Sequence, residues 1–354
     1  MNVALVERIA DAVLYEGYLL YPYRPSAVKN RQRWNFGVLY PQSHSERAES
    51  GDAWVMETEC LVQGSSAAQL QVRVRCLQLV SRSIGRLAQP MEDVPSSGLS
   101  EFAPVDSLTV GDQVFKGWQE AIEREISPAV LRVDTLASSS VRHTFEFHAE
   151  KTFEPLRNGE GQIVGVIVRE RQLVSGLVEV AAERLGEDIF KIRVAIRNTT
   201  ALDAAGPMSR EDALMHSMIS THTIFGVEKG QFVSLFDPSE SMGPFAARCQ
   251  NNNAWPVLVG DDGSRDMMLS SPIILYDYPQ IAPESPGNLF DGTEIDEILA
   301  LRIMTMTDDE KREVRQSDPR GRELLERTET LPPEHLMKLH GVLRGLRSSP
   351  EKAS

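Results

Sequence analysis

Cysteine is scarce in this chain. Cys60, Cys76 and Cys249 are the three among 354 residues, an odd number at wide spacing and without a CxxC pair. That pattern argues against a disulfide framework or a zinc knuckle, and the usage fits a reducing compartment. Aromatics are also few, at 6%. No apolar run approaches the length that crosses a bilayer. The first residues, MNVALVERIADAVLYEG, are broken by Glu7, Arg8 and Asp11, without the basic and apolar regions of a secretory signal. A cytoplasmic location is the expectation. Catalytic signatures are missing too: the chain holds no HExxH, Walker loop, GxSxG or GxGxxG. Positive charge is outnumbered. A formal net charge of -14 and a pI near 5.1 argue against nucleic acid or an anionic membrane as partner of the whole surface.

Against that background one stretch is dense. Ala12–Pro41 holds five of the seven tyrosines, Tyr15, Tyr18, Tyr21, Tyr23 and Tyr40, together with Trp34 and Phe36. Arg24, Lys29, Arg31 and Arg33 lie among them, with Glu16 the one acid. Tyrosine buries a ring while its hydroxyl stays wet, which suits a junction inside a fold. Tyrosine, tryptophan and arginine are also the usual anchors of protein interfaces. Both readings stand, and the partner-binding one names Tyr18, Tyr21, Tyr23, Arg24, Arg31 and Trp34.

The remaining pattern reads as an α+β, β-rich protein. Its centre is an antiparallel, sandwich-like or strongly curved sheet, with a short N-terminal helix and a helical C-terminal segment. Residues 2–14 place Val3, Val6, Ile9, Ala10 and Val13 at helical spacing. Residues 53–62 and 69–80 read as strands joined in a hairpin by QGSSAA. In the second, Leu70, Val72, Val74 and Cys76 share one face, so Cys76 and Cys60 read as core residues. Residues 82–106, with Pro90, Pro95 and Pro104, read as a connection or a mobile surface loop, and the possible internal boundary. Residues 113–126, QVFKGWQEAIEREI, read as a helix.

The main β region follows, with turns at 158–161 and 185–187. In residues 188–200 Phe190, Ile192, Val194 and Ile196 make an unbroken apolar face. Ser209 and Asp212 read as a capping box opening a helix over 209–220. Residues 221–238 read as a hairpin turning at 228–230, and 254–279 as two further strands. Thr293 caps one predicted C-terminal helix, Thr307 and Glu310 form a capping box for a second, Pro319 opens a third, and a fourth follows Pro332-Pro333. The domain expectation is a β-rich core over 1–287, a helical segment over 288–345 and a disordered tail over 346–354.

Three chemistries deserve comparison. Cys249 with His216 or His222 would make a Cys-dependent hydrolase, because a thiol becomes nucleophilic once a base lowers its pKa. No local signature surrounds Cys249 in FAARCQNNNAW, and the six-residue histidine spacing does not fit one helical face. A β-sandwich module binding a small ligand on its sheet face is a further alternative. Acids at 291–297 and 308–310 suit the first turns of helices better than a metal site. No metal and no cofactor is expected.

The segments YEGYLLYPYRPSAVKNRQRWNFGVLYP and NLFDGTEIDEILALRIMTMTDDEKREVRQSDPRGRELLER resemble an uncharacterised accessory family. Its members are encoded beside the high-affinity, actinobacterial-type nickel-iron (NiFe) hydrogenases, and the resemblance extends over most of the chain. It implies a non-catalytic, cytoplasmic role in assembling, maturing or supporting a hydrogenase, with hydrogenase subunits or maturation factors as protein partners. The family supplies no catalytic residues to carry over.

Overall fold

The structure is a computed structural model that describes residues 3–16, 36–47, 51–94, 101–202, 208–280, 299, 302–317 and 319–330. The six residues of the expected partner surface, Tyr18 to Trp34, lie outside the described residues. So do the Thr293 cap, the fourth C-terminal helix and the tail.

One strand organises everything else. β1 (Val55–Met91) is 37 residues long and has partners along both edges. On one edge it pairs antiparallel with β11 (Ile189–Asn198) through residues 55–63. The same edge then meets β6 (Leu131–Arg132), β5 (Trp118–Ile126) at 74–82 and β2 (Ala103–Val105). The opposite edge takes β12 (Ile219–Val233) over residues 61–77 and β9 (Ile163–Arg171) over 81–91. Each strand slightly overlaps its successor across β1, which is what places them on alternate edges.

β7 (Val141–Phe147) and β8 (Glu150–Arg157) face β10 (Val174–Arg184) and β9 in one unshifted register, from Val141↔Val180 to Leu156↔Gly165. They form a single long hairpin. The edge of its returning arm pairs with β11 along β10 and with β1 along β9. At this change of partner, the buried Gln78 donates its amide to the Gln172 carbonyl (2.7 Å) and accepts from Arg124 Nε (2.9 Å). The sheet therefore coils, as its pairing requires. It stays open, ending on β13 (Trp255–Leu258), beside β14 (Met267–Ser271), and on β7.

The coil wraps its own core. Met56, Cys60, Val62, Leu70, Val72, Val74 and Cys76 of β1 meet Phe190, Ile192, Val194 and Ile196 of β11 and Phe225, Val227 and Phe232 of β12. The faces expected for β1, for β11 and for both cysteines are the ones observed. The short helix α3 (Val133–Ser138) covers this core through Val133 and Leu136.

Helices cover the outer face. α1 (Val3–Tyr15) sets Val6, Ile9, Ala10 and Val13 on Ile224, Val257, Val259, Met267 and Leu269. The C-terminal helices α6 (Asp308–Ser317) and α7 (Pro319–Glu329) bring Val314, Leu324 and Leu325 into a cluster with Leu77, Leu79 and Ala121 of the sheet and Leu14 and Tyr15 of α1. α6 carries the expected capping box: Thr307 N donates to Glu310 Oε2 (2.9 Å) and Glu310 N to Thr307 Oγ1 (3.3 Å). No helix among the described residues is long and apolar enough to cross a membrane.

Several local expectations fail, for physical reasons. QGSSAA makes a bulge within β1 and no hairpin. Gly64 opposes Gly230 and Gln69 opposes Glu228, so residues 65–68 stand against Lys229 alone. Lys229 takes φ +57°, and β12 runs straight through the predicted turn at 228–230. A Cβ on Gly64 would lie 2.7 Å from the Gly230 Cα, so this crossing needs glycine. Residues 82–91 continue β1, with Pro90 in a register shift between Arg86 and Met91 that tolerates its missing N–H. Residues 113–126 are the strands β4 (Gln113–Lys116) and β5. β4 pairs with β3 (Ser107–Val110). The helix over 209–220 is confined to α4 (Arg210–Leu214), capped by Ser209 as expected, and Ile219 already belongs to β12.

Candidate functional site

The nucleophile and bases of the hydrolase reading are not brought together. Cys249 follows α5 (Gly243–Ala246) and lies beside Glu59 and Lys191: Gln250 N donates to Glu59 Oε2 (2.8 Å), and Lys191 Nζ is 3.3 Å from Glu59 Oε1. His216 is fixed near the far end of β11, where its carbonyl accepts from Asn198 Nδ2 (2.9 Å) and its Nδ1 meets the Leu173 carbonyl (3.1 Å). Lys191 and Asn198 are seven residues apart on that strand, roughly 23 Å of extended chain. His222 opposes Arg75 on β1, sixteen residues beyond Glu59.

Electrostatics point the same way. Burial pushes the Cys249 thiol up to about 12, the Glu59 carboxylate adds to the rise, and Lys191 and Arg248 offset only part of it. A thiol held there is protonated at neutral pH and is a poor nucleophile. His222 is fully buried and is pushed down to about 4, chiefly by burial. The Ser220 carbonyl opposes the fall, Arg75 adds to it and Glu123 opposes it. Its Nδ1–H donates to that carbonyl (2.8 Å), and its buried Nε2 has no hydrogen-bond partner among the described residues. The imidazole is a neutral core group. Among the described residues no group of three or more His, Cys, Asp and Glu side chains is arranged to hold a metal ion.

The outer face carries a polar seam that joins four elements. Arg75 Nη2 of β1 donates to Asp11 Oδ1 of α1 (2.7 Å) and to Glu123 Oε2 of β5 (3.2 Å). The Tyr15 hydroxyl donates to Glu123 Oε1, and Arg320 Nη2 of α7 donates to the Tyr15 hydroxyl oxygen. The Arg320 guanidinium also stacks 4.2 Å from the Tyr15 ring centroid. Tyr15, the first tyrosine of the aromatic-basic stretch, thus serves an internal junction. Tyr40, the last, is likewise buried: it stacks on His44 (5.4 Å between ring centroids) with Arg210 over its face. Desolvation raises the Tyr40 hydroxyl pKa above its ordinary value.

The most exposed large apolar side chains among the described residues lie together, at a place the sequence expectations do not name. After β14 the chain turns back alongside β13, where Tyr278 N donates to the Leu258 carbonyl (2.8 Å) and Leu258 N to Asp277 Oδ1 (2.8 Å). This segment covers the edge of β13. Its side chains alternate: Ile273 and Leu275 pack on the cluster beneath α1, while Ile274 and Tyr276 stand 67% and 68% exposed. Phe236, 60% exposed, meets Tyr276 edge-on with ring centroids 5.1 Å apart. Trp255, at the start of β13, is also exposed. The period-two pattern of IILYDY was the available signal, since the next residue of a half-buried strand points outward. Exposed aromatics held in a fixed pair supply contact area at small entropic cost, the chemistry of an interface anchor. No family model and no curated protein matches the chain.

Proposed function

We propose that this chain is a non-catalytic accessory or scaffold protein that works in the cytoplasm on a nickel-iron hydrogenase system, docking a hydrogenase subunit or maturation factor. The observation that carries the docking part is the exposed Phe236–Tyr276 pair with Ile274 beside the covered edge of β13. Large apolar side chains held together in water mark interaction surfaces. The hydrogenase context comes from the resemblance of the two quoted segments. A second contribution from Tyr18, Tyr21, Tyr23, Arg24, Arg31 and Trp34 belongs to the same proposal.

The test is co-purification of the tagged full-length protein from cells that make the hydrogenase. The expected result is recovery of a hydrogenase subunit, reduced at least tenfold by Phe236→Ala with Tyr276→Ala. The pair Arg24→Ala with Trp34→Ala probes the N-terminal stretch in the same assay. Recovery of the tagged protein alone, from an extract in which the hydrogenase complex stays intact, would overturn the proposal.

A further inference from the structure

Five arginines from elements far apart in sequence line one groove. Arg82 of β1 and Arg169 of β9 approach Arg312 and Arg315 of α6 and Arg322 of α7 around a groove of about 470 Å³. Glu120 and Glu154 are its acidic lining residues, so five guanidinium groups face two carboxylates in a chain of net charge -14. The volume is that of a small-molecule site.

The sheet half of this groove is braced. Glu120 takes Arg169 Nε on one oxygen (2.7 Å) and Arg82 Nη1 on the other (3.5 Å). Glu154 takes Arg169 Nη1 (2.5 Å). Arg82 is buried, yet it lines the groove. Two carboxylates therefore hold two guanidinium groups in fixed orientation, and the surplus of positive charge among the lining residues comes from the helical half.

The helical half is more exposed. Arg312 pairs with Asp309 (3.1 Å) on its own helix, and Arg315 with Glu329 (2.6 Å) across the helix pair. Arg322 Nε donates to the Arg315 carbonyl (2.9 Å), and among the described residues Arg322 has no carboxylate in ion-pair range. Phe115, partly buried, adds apolar surface to the lining, and Ile167 lies beneath it in the core. A planar guanidinium matches the two-oxygen edge of a phosphate or carboxylate, and several converging forks select multiply charged anions over chloride.

We infer that the groove between β1, β9 and the α6–α7 pair binds a small organic polyanion carrying at least two phosphate or carboxylate groups, its less polar part lying on Phe115. The site is independent of the Phe236–Tyr276 surface and of the hydrogenase proposal.

Titration calorimetry of the full-length protein with pyrophosphate and, separately, with citrate at low ionic strength tests this. The expected result is saturable one-to-one binding of at least one probe, weakened at least tenfold by Arg312→Gln with Arg322→Gln, at an unchanged melting temperature. Tighter pyrophosphate assigns phosphate groups to the ligand, and tighter citrate assigns carboxylates. Gln113→Glu adds a negative charge from β4 and leaves the sequence of both helices unaltered. It weakens binding as well, which keeps the test decisive if the arginine variant is unstable. Absence of binding by both probes, or binding unchanged in Gln113→Glu and in a folded arginine variant, would overturn the inference.

Discussion

Single residues here are specified mainly by where polar groups are hidden. His222 makes the sharpest case. Its folded pKa of about 4 lies below the ordinary histidine value near 6.5, so between those values the unfolded chain binds a proton that the native state refuses. Stability from this group is complete above about pH 6.5 and is lost as pH falls toward 4, with a total on the order of 3 kcal/mol. We expect urea unfolding midpoints to drop steadily from pH 6.5 to 4.5. His222→Asn keeps a donor for the Ser220 carbonyl but cannot titrate, and should flatten that slope. An equal slope in the variant would assign the effect elsewhere. Asn198 works by satisfaction in place of charge: its amide nitrogen donates to the Leu39 and His216 carbonyls, and its oxygen accepts from Thr200 N and Oγ1. The sequence names both residues as polar neighbours of a strand. It carries no trace of their burial, which depends on Leu39, 159 residues before Asn198, and on Arg75, 147 residues before His222.

At the scale of elements, what was legible was what is local. The capping box of α6, the proline opening α7, the apolar stripe of α1 and the turn at 158–161 are written in residues four or fewer apart. They were readable for that reason. β5 was misread because WQEAIEREI is built of good helix formers. Its pairing with residues 74–82 of β1 overrides that propensity, and the strand is covered on both faces, Ile126 in the inner core and Ala121 beneath the helices. The bulge at 65–68 was misread because serine and glycine signal a turn whether or not the chain reverses. That bulge yields a prediction. Gly64→Ala forces a Cβ against the Gly230 backbone and should cost about 1–3 kcal/mol, read as a lower denaturation midpoint with unchanged m-value. Gly159→Ala, whose Cβ would meet nothing within 4 Å, is the control. Equal losses in the two would refute the close-approach argument. The alternation of IILYDY signals Ile274 and Tyr276, but the pairing of Tyr276 with Phe236 and the arginine groove were illegible for the complementary reason: each joins segments that only the folded sheet makes neighbours.

For the whole molecule, β1 leaves no seam along which the sheet can divide. It pairs with β2, β5, β6, β9, β11 and β12, so the sheet around it should melt as one unit. We expect far-UV circular dichroism and tryptophan fluorescence to report coincident unfolding of the sheet. A first transition confined to residues after 91 would show that the proline-rich connection separates two independently folding parts. The same spine sets the order of events during synthesis. Val62 awaits its β12 partner Phe232, 170 residues later, and at usual elongation rates that interval is roughly 10–30 s. Through it the edge of β1 over residues 61–77 stays bare, while β5, β9 and β11 reach their own stretches of the strand in turn. The nascent chain is therefore a natural client for holding chaperones, and its yield in a foreign host should depend on translation speed more than on the final stability of the fold.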